Sequence, residues 1–130
     1  IDMLVRLAQS SDMGARWAVA KSVHTPGEVL EALANDEVNL VRALVATNPG
    51  TPLHCLDAFF TDDKIVKDGL TGNPNTPVGI LEQLARDNDK MVRMRTAQNP
   101  SLPVEILEVL CDDENQDVSI LAKQMMQERK

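Results

Sequence analysis

The sequence predicts an all-α chain, an α-solenoid of about five two-helix repeats of 25–26 residues, with no sheet. The first observation is a loop of the pattern Asn-Pro-x-x-Pro, which occurs at 48–52, 73–77 and 99–103, with a weaker copy at 22–26. The second is that aliphatic residues recur at helical spacing after each loop. A period this short accommodates two short helices, whereas the common helical repeats need about 33–47 residues.

Two sets of apolar positions follow the loops in the same register. The first-helix set is Leu30, Leu56, Leu81 and Leu107, and the second-helix set is Val41, Val66, Val92 and Val118. We predict that both sets are buried. The opening segment, from Leu4 to Ala20, fits the same frame without its entry loop. The predicted repeats are therefore about 1–21, 22–47, 48–72, 73–98 and 99–130, which form a single domain.

Each repeat is expected to begin a first helix at its threonine and proline. Thr25, Thr51 and Thr76 are good N-cap residues, and a proline suits the first helical position. Thr25 and Glu28 match a capping box. An acidic turn then precedes a second, shorter helix, which is expected to be partly 3₁₀ and to end at the Asn-Pro pair.

The third repeat departs most from the pattern. Phe59 and Phe60 replace the usual Leu-Ala, Lys67 replaces arginine, and Gly69 and Gly72 weaken its second helix. We predict that this second helix is the shortest or the most mobile. The polar residues that follow the last acidic stretch, Gln124, Gln127, Glu128, Arg129 and Lys130, are typical of a terminal cap.

The charge and hydropathy of the chain limit its class. Twenty acidic and thirteen basic residues give a net charge of −7, which disfavours binding to a phosphate backbone. No apolar run reaches the roughly 18–20 residues that cross a bilayer. No signal peptide precedes the first helix, so secretion is not predicted. We expect a cytoplasmic protein that does not contact membranes.

The motif resembles the leucine-rich repeat variant family, whose pattern is roughly N-P-x-T-P, then L-x-x-L-A, an acidic residue, and V-R-x-x-V-A. The fourth repeat carries it almost whole, at Asn73, Pro74, Thr76, Pro77, Leu81, Leu84, Ala85, Asp87, Val92, Arg93 and Ala97. The resemblance covers essentially the whole chain. It implies a right-handed superhelix of alternating α- and 3₁₀-type helices. The iron–sulfur domain of the founding type has no cysteine cluster to support it here, so no cofactor is predicted.

The two cysteines are interpreted as small core residues. Cys55 aligns with Met3, Val29, Ile80 and Ile106, and Cys111 aligns with Ala8, Ala34, Phe60 and Ala85. They are two repeats apart, which at a helix spacing of about 8–10 Å is far beyond disulfide reach. A reduced compartment is therefore expected.

One cation per repeat follows the buried Val or Ala, forming a basic ladder of Arg16, Arg42, Lys67 and Arg93. It could bind an acidic peptide or a phosphate backbone. The favoured interpretation is structural, with each cation hydrogen-bonded to the acidic turn five or six residues before it, as Asp36 precedes Arg42. The loop asparagines, Asn48, Asn73 and Asn99, are likewise expected to bond neighbouring backbone.

Trp17 is the strongest candidate for contact with a partner, because its position is not conserved as apolar between repeats. The aligned residues are Ala43, Asp68, Met94 and Ile120. Of these, Trp17, Asp68, Met94 and Ile120 are the predicted partner-binding residues. Trp17 could equally cover the end of the solenoid.

No catalytic arrangement is predicted. His24 and His54 have no Cys, Ser or carboxylate at the spacing of a triad or metal site, and the six glycines form no phosphate-binding loop. The leading hypothesis is a non-enzymatic scaffold that binds a protein or peptide along one face. The alternatives are a nucleic-acid-binding helical-repeat module and a structural arm of a longer protein.

Overall fold

The computed structural model describes residues 6–129, and within this range the chain is all-α, without a strand. Leu4 and Lys130, for which predictions were made above, lie outside the described residues. The helices are α1 Met13–Lys21, α2 Gly27–Leu33, α3 Asn39–Thr47, α4 Leu53–Phe59, α5 Lys64–Gly69, α6 Val78–Leu84, α7 Lys90–Ala97, α8 Val104–Cys111 and α9 Gln116–Glu128. A 3₁₀ turn, Leu70–Gly72, follows α5.

The chain divides into two compact units, Ile1–Asn73 and Pro74–Lys130. The boundary falls at the start of the fourth predicted repeat, within an Asn-Pro pair. The first unit therefore spans the first three predicted repeats, and the second unit spans the last two. In each unit the second helices of neighbouring repeats pack against each other, as α1 packs on α3 and α7 on α9.

The core is the aliphatic core that the repeat predicts. All four leucines of the first-helix set and all four valines of the second-helix set are fully buried. Burying one such side chain stabilises a fold by about 1.5–3 kcal/mol, so these eight positions make a large contribution to the packing energy. The prediction of both buried sets is confirmed.

The first helices begin one residue later than predicted. Pro26, Pro52 and Pro77 are the N-cap residues, and none of these helix starts has a side-chain capping bond. The hydroxyl of Thr25 instead donates to the carbonyl of Val19 at 2.7 Å, and that of Thr51 donates to Val45 at 2.6 Å. The expected threonine caps, and with them the Thr25–Glu28 capping box, were wrong. The buried threonine satisfies the end of the preceding helix.

The second helices were expected to be shorter than the first, and this was wrong for the second, fourth and fifth predicted repeats. There the second helices α3, α7 and α9 have nine, eight and thirteen residues, against seven, seven and eight for the first helices α2, α6 and α8. It holds in the third, where α5 has six residues and α4 has seven. The proline places the start of each first helix late, while an aspartate or asparagine starts several second helices early by accepting a backbone N–H, as Asp89 does from Met91. In the described part of the chain, 3₁₀ geometry in a second element is confined to Leu70–Gly72.

The loop asparagines end the second helices and join neighbouring repeats. Asn48 is the C-cap of α3, and its Oδ1 accepts from the backbone N–H of Gly50 at 2.9 Å. Its Nδ2 donates to the carbonyls of Ala20 and Ser22, one repeat earlier, at 2.9 and 2.8 Å. Asn73 makes the equivalent pair of bonds, to Ala46 and Asn48. The amide therefore bonds its own turn, as expected, and also the preceding repeat.

Arg129, the C-cap residue of α9, donates hydrogen bonds to backbone carbonyls of a neighbouring loop, as the loop asparagines do. α9 has thirteen residues and no Asn-Pro pair to stop it. Arg129 donates from one terminal nitrogen to the carbonyl of Asn99 at 3.0 Å, and from the other to Leu102. The carbonyl of Asn48, which is equivalent to that of Asn99, accepts instead from the next repeat's asparagine. The polar end of α9 thus satisfies backbone acceptors of the last loop.

The second helix of the third repeat, α5, has six residues and is the shortest of the helices whose two ends both lie in the described range. Its predicted shortness is confirmed, and its mobility stays a prediction. Gly69, which ends α5, has helical backbone angles. A Cβ at this position would lie 2.7 Å from the carbonyl oxygen of Ala43 and 3.2 Å from the Cβ of Ala46. The glycine is therefore required for the close approach of α3 and α5.

We expect Gly69→Ala to lower the free energy of unfolding by about 1–3 kcal/mol, because the new methyl group collides with backbone. Gly79 is the matched control, because a Cβ there meets nothing within 4 Å. Gly79→Ala should raise stability by about 0.5 kcal/mol through helix propensity. Urea denaturation followed by circular dichroism measures both. Equal effects of the two substitutions would contradict the close-packing role of Gly69.

Candidate functional site

Three cations of the basic ladder make the same contacts. In each, the guanidinium Nε donates to a carboxylate twenty residues further along the chain, at 2.7–3.0 Å, and a terminal nitrogen reaches the second carboxylate oxygen. The pairs are Arg16–Asp36, Arg42–Asp62 and Arg93–Asp113. Such two-point pairing is the strong form of an Arg–carboxylate contact. The ladder therefore joins each of these repeats to the next.

The acidic partner differs from the one that the sequence indicated. The residue six positions before each arginine contributes its backbone carbonyl, which accepts from the remaining terminal nitrogen. The acceptors are Ser10, Asp36 and Asp87, at 2.7–2.9 Å. The carboxylate comes from the following repeat instead. Each of these arginines thereby fixes the turn before its own helix and the turn of the next repeat.

Lys67, the third position of the basic ladder, contacts an aromatic ring of its own repeat. Its Nζ lies 5.2 Å from the centre of the Phe60 ring, within the range of a cation–π contact. Two of the residues that set the third repeat apart in the sequence, a lysine in place of arginine and a phenylalanine in place of alanine, are therefore in contact. These two departures from the pattern thus form one local feature.

The Arg42–Asp62 pair gives the stability of the first unit a pH dependence. The hydrogen bond from Arg42 holds the pKa of Asp62 below its ordinary value, against the opposing effect of burial, and the backbone N–H of Asp63 adds to the lowering. A carboxyl whose pKa is lowered by folding stabilises the fold above its unfolded pKa of about 3.9. This contribution is lost as the pH falls through the lower, folded value.

We therefore expect Asp62→Asn to destabilise the chain at pH 7, and the difference from wild type to shrink between pH 4 and pH 2. Urea denaturation at pH 7, 4 and 2.5 checks this. Asp57, an exposed carboxylate on α4, makes no ion pair among the described residues and provides the control. Asp57→Asn should change stability by less than about 0.5 kcal/mol at pH 7. A deficit of Asp62→Asn that stayed constant with pH would contradict the ion pair's contribution.

The four predicted partner-binding residues occupy aligned positions on second helices but differ in their surroundings. Trp17 is half-buried, and the Nζ of Lys21 lies 4.8 Å from its ring centre. Met94 is half-buried, whereas Ile120 is 53% exposed. Asp68 is mostly buried and pairs with Lys64 at 2.7 Å, while its Oδ1 has no hydrogen-bond partner in the described structure. The structure does not give these positions one common chemistry.

The two cysteines are free thiols, and the two histidines lie at the surface. Cys55 is buried and Cys111 half-buried. Burial is the main cause that raises the pKa of each, with smaller contributions from Glu31 at Cys55 and from Asp112 at Cys111. The Nε2 of His54 lies 3.4 Å from Glu31 at the surface, and His24 is exposed. Thiols with raised pKa values are poor nucleophiles at neutral pH.

Within residues 6–129, no group of three or more His, Cys, Asp or Glu side chains is arranged to hold a metal ion. In the same range, no helix combines the length and apolar character that crossing a membrane requires.

Sequence reasoning missed a set of grooves between consecutive first helices. The groove between α6 and α8 has a volume of about 250 Å³ and is lined by Glu82, Ala85, Arg86, Glu105, Ile106, Val109 and Leu110. In the first unit, a groove of about 300 Å³ between α2 and α4 uses the equivalent positions, including Glu31, Ala34, Cys55, Ala58 and Phe59. A third, of about 440 Å³, lies between residues 8–9 and α2.

These grooves share one construction. The preceding helix supplies a small residue, which is Ala8, Ala34 or Ala85, and the following helix supplies four residues in a fixed order. The first of the four is polar, namely Glu28, His54 or Glu105. Because second helices pack closely while first helices are further apart, the grooves open on the first-helix side. The recurring alanine was visible in the sequence, but it was interpreted only as a core position.

No protein-family model, curated protein or solved structure matches this chain.

Proposed function

We propose that the chain is a non-enzymatic repeat scaffold that binds a protein or peptide along one face. The observation that supports it is that different positions of the repeat have different roles. The repeated Arg, Asn and Thr side chains bond to the backbone and side chains of the scaffold itself. The groove residues keep their positions, but the residue type at a position differs between repeats, as it does for Glu28, His54 and Glu105. Because internal hydrogen bonds hold the scaffold together, the residues that line the grooves can differ in shape and charge to match a partner.

The exposed apolar residues support the same proposal. Val23, Leu53, Val78, Val109 and Ile120 each expose at least half of their surface. Val109 is 69% exposed and borders a groove, so part of this apolar surface is concave. Concave apolar surface beside polar groups is typical of binding sites.

The proposal also covers the architecture of the chain and its location in the cell. The resemblance to the leucine-rich repeat variant family supports a right-handed solenoid of five repeats. The two free cysteines support a reduced, cytoplasmic setting. The pairing of Arg16, Arg42 and Arg93 with carboxylates argues against the nucleic-acid alternative, because these cations are neutralised. The alternative of a structural arm predicts that the chain captures no partner of its own.

An affinity pull-down from lysate of the native organism tests the proposal. The wild-type chain is compared with a Trp17→Ala, Met94→Ala double variant and with a Val109→Ala variant, each with its fold verified by circular dichroism. We expect a specific protein to be captured by the wild type and weakened in one variant, which identifies the face. The captured protein is then purified and its affinity measured by calorimetry. Capture of nothing by the wild type would count against a binding role and favour the structural arm.

A further inference from the structure

The groove between α6 and α8 combines an apolar floor with a negative rim. Ala85, Ile106 and Leu110 form the floor, and the exposed side chain of Val109 stands beside it. A neighbouring cavity of about 410 Å³ shares Ala85, Arg86, Val109 and Leu110 with this groove, and continues it to the acidic turn at 112–114. The two together form one continuous surface, which we call the α6–α8 groove.

The charge of this groove is strongly asymmetric. Six carboxylates line it, against two guanidinium groups; the carboxylates are Glu82, Asp87, Glu105, Asp112, Asp113 and Glu114. Both guanidinium groups are paired, Arg93 with Asp113 at 2.9 Å and Arg86 with Glu82 at 3.3 Å. Glu105, Asp112 and Glu114 make no ion pair among the residues that the structure describes. The rim therefore carries uncompensated negative charge next to apolar surface.

The equivalent grooves of the first unit have the same sign. The one beside residues 8–9 is lined by Glu28 and Asp36, and the one between α2 and α4 by Glu31 and Asp62. Neither is lined by a lysine or an arginine. Since the ladder arginines already bond Asp36 and Asp62, the glutamates are the charges that face an incoming partner. The recurrence makes the negative rim a property of the repeat.

We infer that the α6–α8 groove binds a cationic segment of a partner protein, in which an aliphatic side chain is flanked by lysine or arginine. The aliphatic side chain packs between Ile106 and Val109, and the flanking cations face Glu105 and Asp112. Complementary charge of this kind accelerates association and excludes acidic partners, while the apolar contact slows dissociation. This inference rests on the proposed function and names the chemistry of its partner.

Fluorescence anisotropy with labelled eight-residue peptides tests the inference on the full chain. The probe is Lys-Lys-Leu-Lys-Leu-Lys-Lys-Gly, and its comparison peptides replace every Lys by Glu, or both Leu by Ser. We expect the Lys–Leu peptide to bind, the Glu–Leu peptide not to bind, and the Lys–Ser peptide to bind at least about tenfold more weakly and only at low salt. Equal binding of the Lys–Leu and Glu–Leu peptides would overturn the inference.

Variants locate the contact. Val109→Ala removes exposed apolar surface from a helix that tolerates alanine, and should weaken the Lys–Leu peptide by about fivefold. Glu105→Lys combined with Asp112→Lys should weaken it by more than about tenfold. Arg86→Ala removes the one exposed cation of the groove and should tighten binding several-fold. The fold of this variant is verified by circular dichroism, so that a gain of affinity reports the removal of the cation.

The matched control is Asp57→Lys combined with Glu128→Lys, which changes the net charge equally, removes two exposed carboxylates that make no ion pair among the described residues, and alters no residue of the α6–α8 groove. This control should change the affinity for the Lys–Leu peptide by less than about twofold. A loss as large as that of the Glu105→Lys, Asp112→Lys variant would show that the effect comes from net charge alone, and would overturn the inference. If no cationic peptide binds but the pull-down captures a protein that Trp17→Ala, Met94→Ala releases, the inference fails and the proposed function stands. If nothing binds in either experiment, both fail.

Discussion

Replacing Asp113 by alanine is expected to lower the free energy of unfolding by about 2–4 kcal/mol. Its carboxylate accepts from Arg93 at two points, 2.9 and 3.2 Å, and from the backbone N–H of Asn115 at 2.9 Å. Both charged side chains are only 11% exposed. Removing one partner of a buried pair leaves an uncompensated charge, which costs about 3–5 kcal/mol when burial is complete. Because the Arg93 side chain keeps a small exposed fraction, water partly solvates its charge, and the expected loss of stability is smaller than for a fully buried pair.

Asp112, the adjacent residue, is the control for this prediction. It is exposed, carries the same charge and makes no ion pair within residues 6–129. Asp112→Ala should change stability by less than about 0.5 kcal/mol. Urea denaturation of the two variants, followed by circular dichroism, measures the difference. If both variants lost the same stability, or neither lost any, the Arg–Asp ladder would not be a structural element of the repeat.

The core and the ladder differ in how far the sequence predicts them. The buried Leu and Val sets follow from periodicity alone, because a helix with one apolar stripe must turn that stripe inward. The partner of Arg93 does not follow in this way. Asp87 and Asp113 are both aspartates of acidic turns, and only the stacking of repeats decides that Arg93 meets the carboxylate of the second and the carbonyl of the first.

The candidate site was predicted less well than the core, for a physical reason. Alignment shows which positions vary, but exposure depends on how closely neighbouring helices pack. Trp17 and Asp68 vary freely in the sequence, yet one is half-buried and the other is mostly buried and paired with Lys64. Val109 was not singled out in the sequence, yet it is 69% exposed and borders a groove. Sequence variation alone therefore pointed to second helices and overlooked the grooves.

The sequence indicated correctly that the loop asparagines are structural. The expected contribution of Asn48 to stability, however, comes from a contact that only the structure shows. A turn asparagine that bonds only its own backbone can be replaced at modest cost. Asn48 also donates to two carbonyls of the preceding repeat, and it is 4% exposed. Its side chain therefore satisfies buried backbone on both sides of a repeat boundary, which makes it the second position where a large effect is expected.

Asn48→Ala is expected to lower the free energy of unfolding by about 2–4 kcal/mol, because it leaves two carbonyls and the N–H of Gly50 without their partner. Asn35→Ala, an exposed asparagine near the end of α2, should cost less than about 0.5 kcal/mol. Urea denaturation followed by Trp17 fluorescence and circular dichroism measures both. A loss at Asn48 no larger than at Asn35 would contradict the bridging role.

Asn48→Asp separates the donor role from mere volume, because it keeps the shape and replaces the donating amide by a carboxylate. At pH 7 the carboxylate oxygen would face two carbonyl oxygens at 2.8–2.9 Å, so the loss should exceed that of Asn48→Ala. Desolvation and this repulsion raise the folded pKa of the new carboxyl above its unfolded value of about 3.9. The deficit relative to wild type should therefore shrink as the pH falls toward 4.5, since a protonated carboxyl can donate one of the two hydrogen bonds. A deficit that stays constant between pH 7 and 4.5 would mean that the side chain at this position contributes through packing and not through its donated hydrogen bonds.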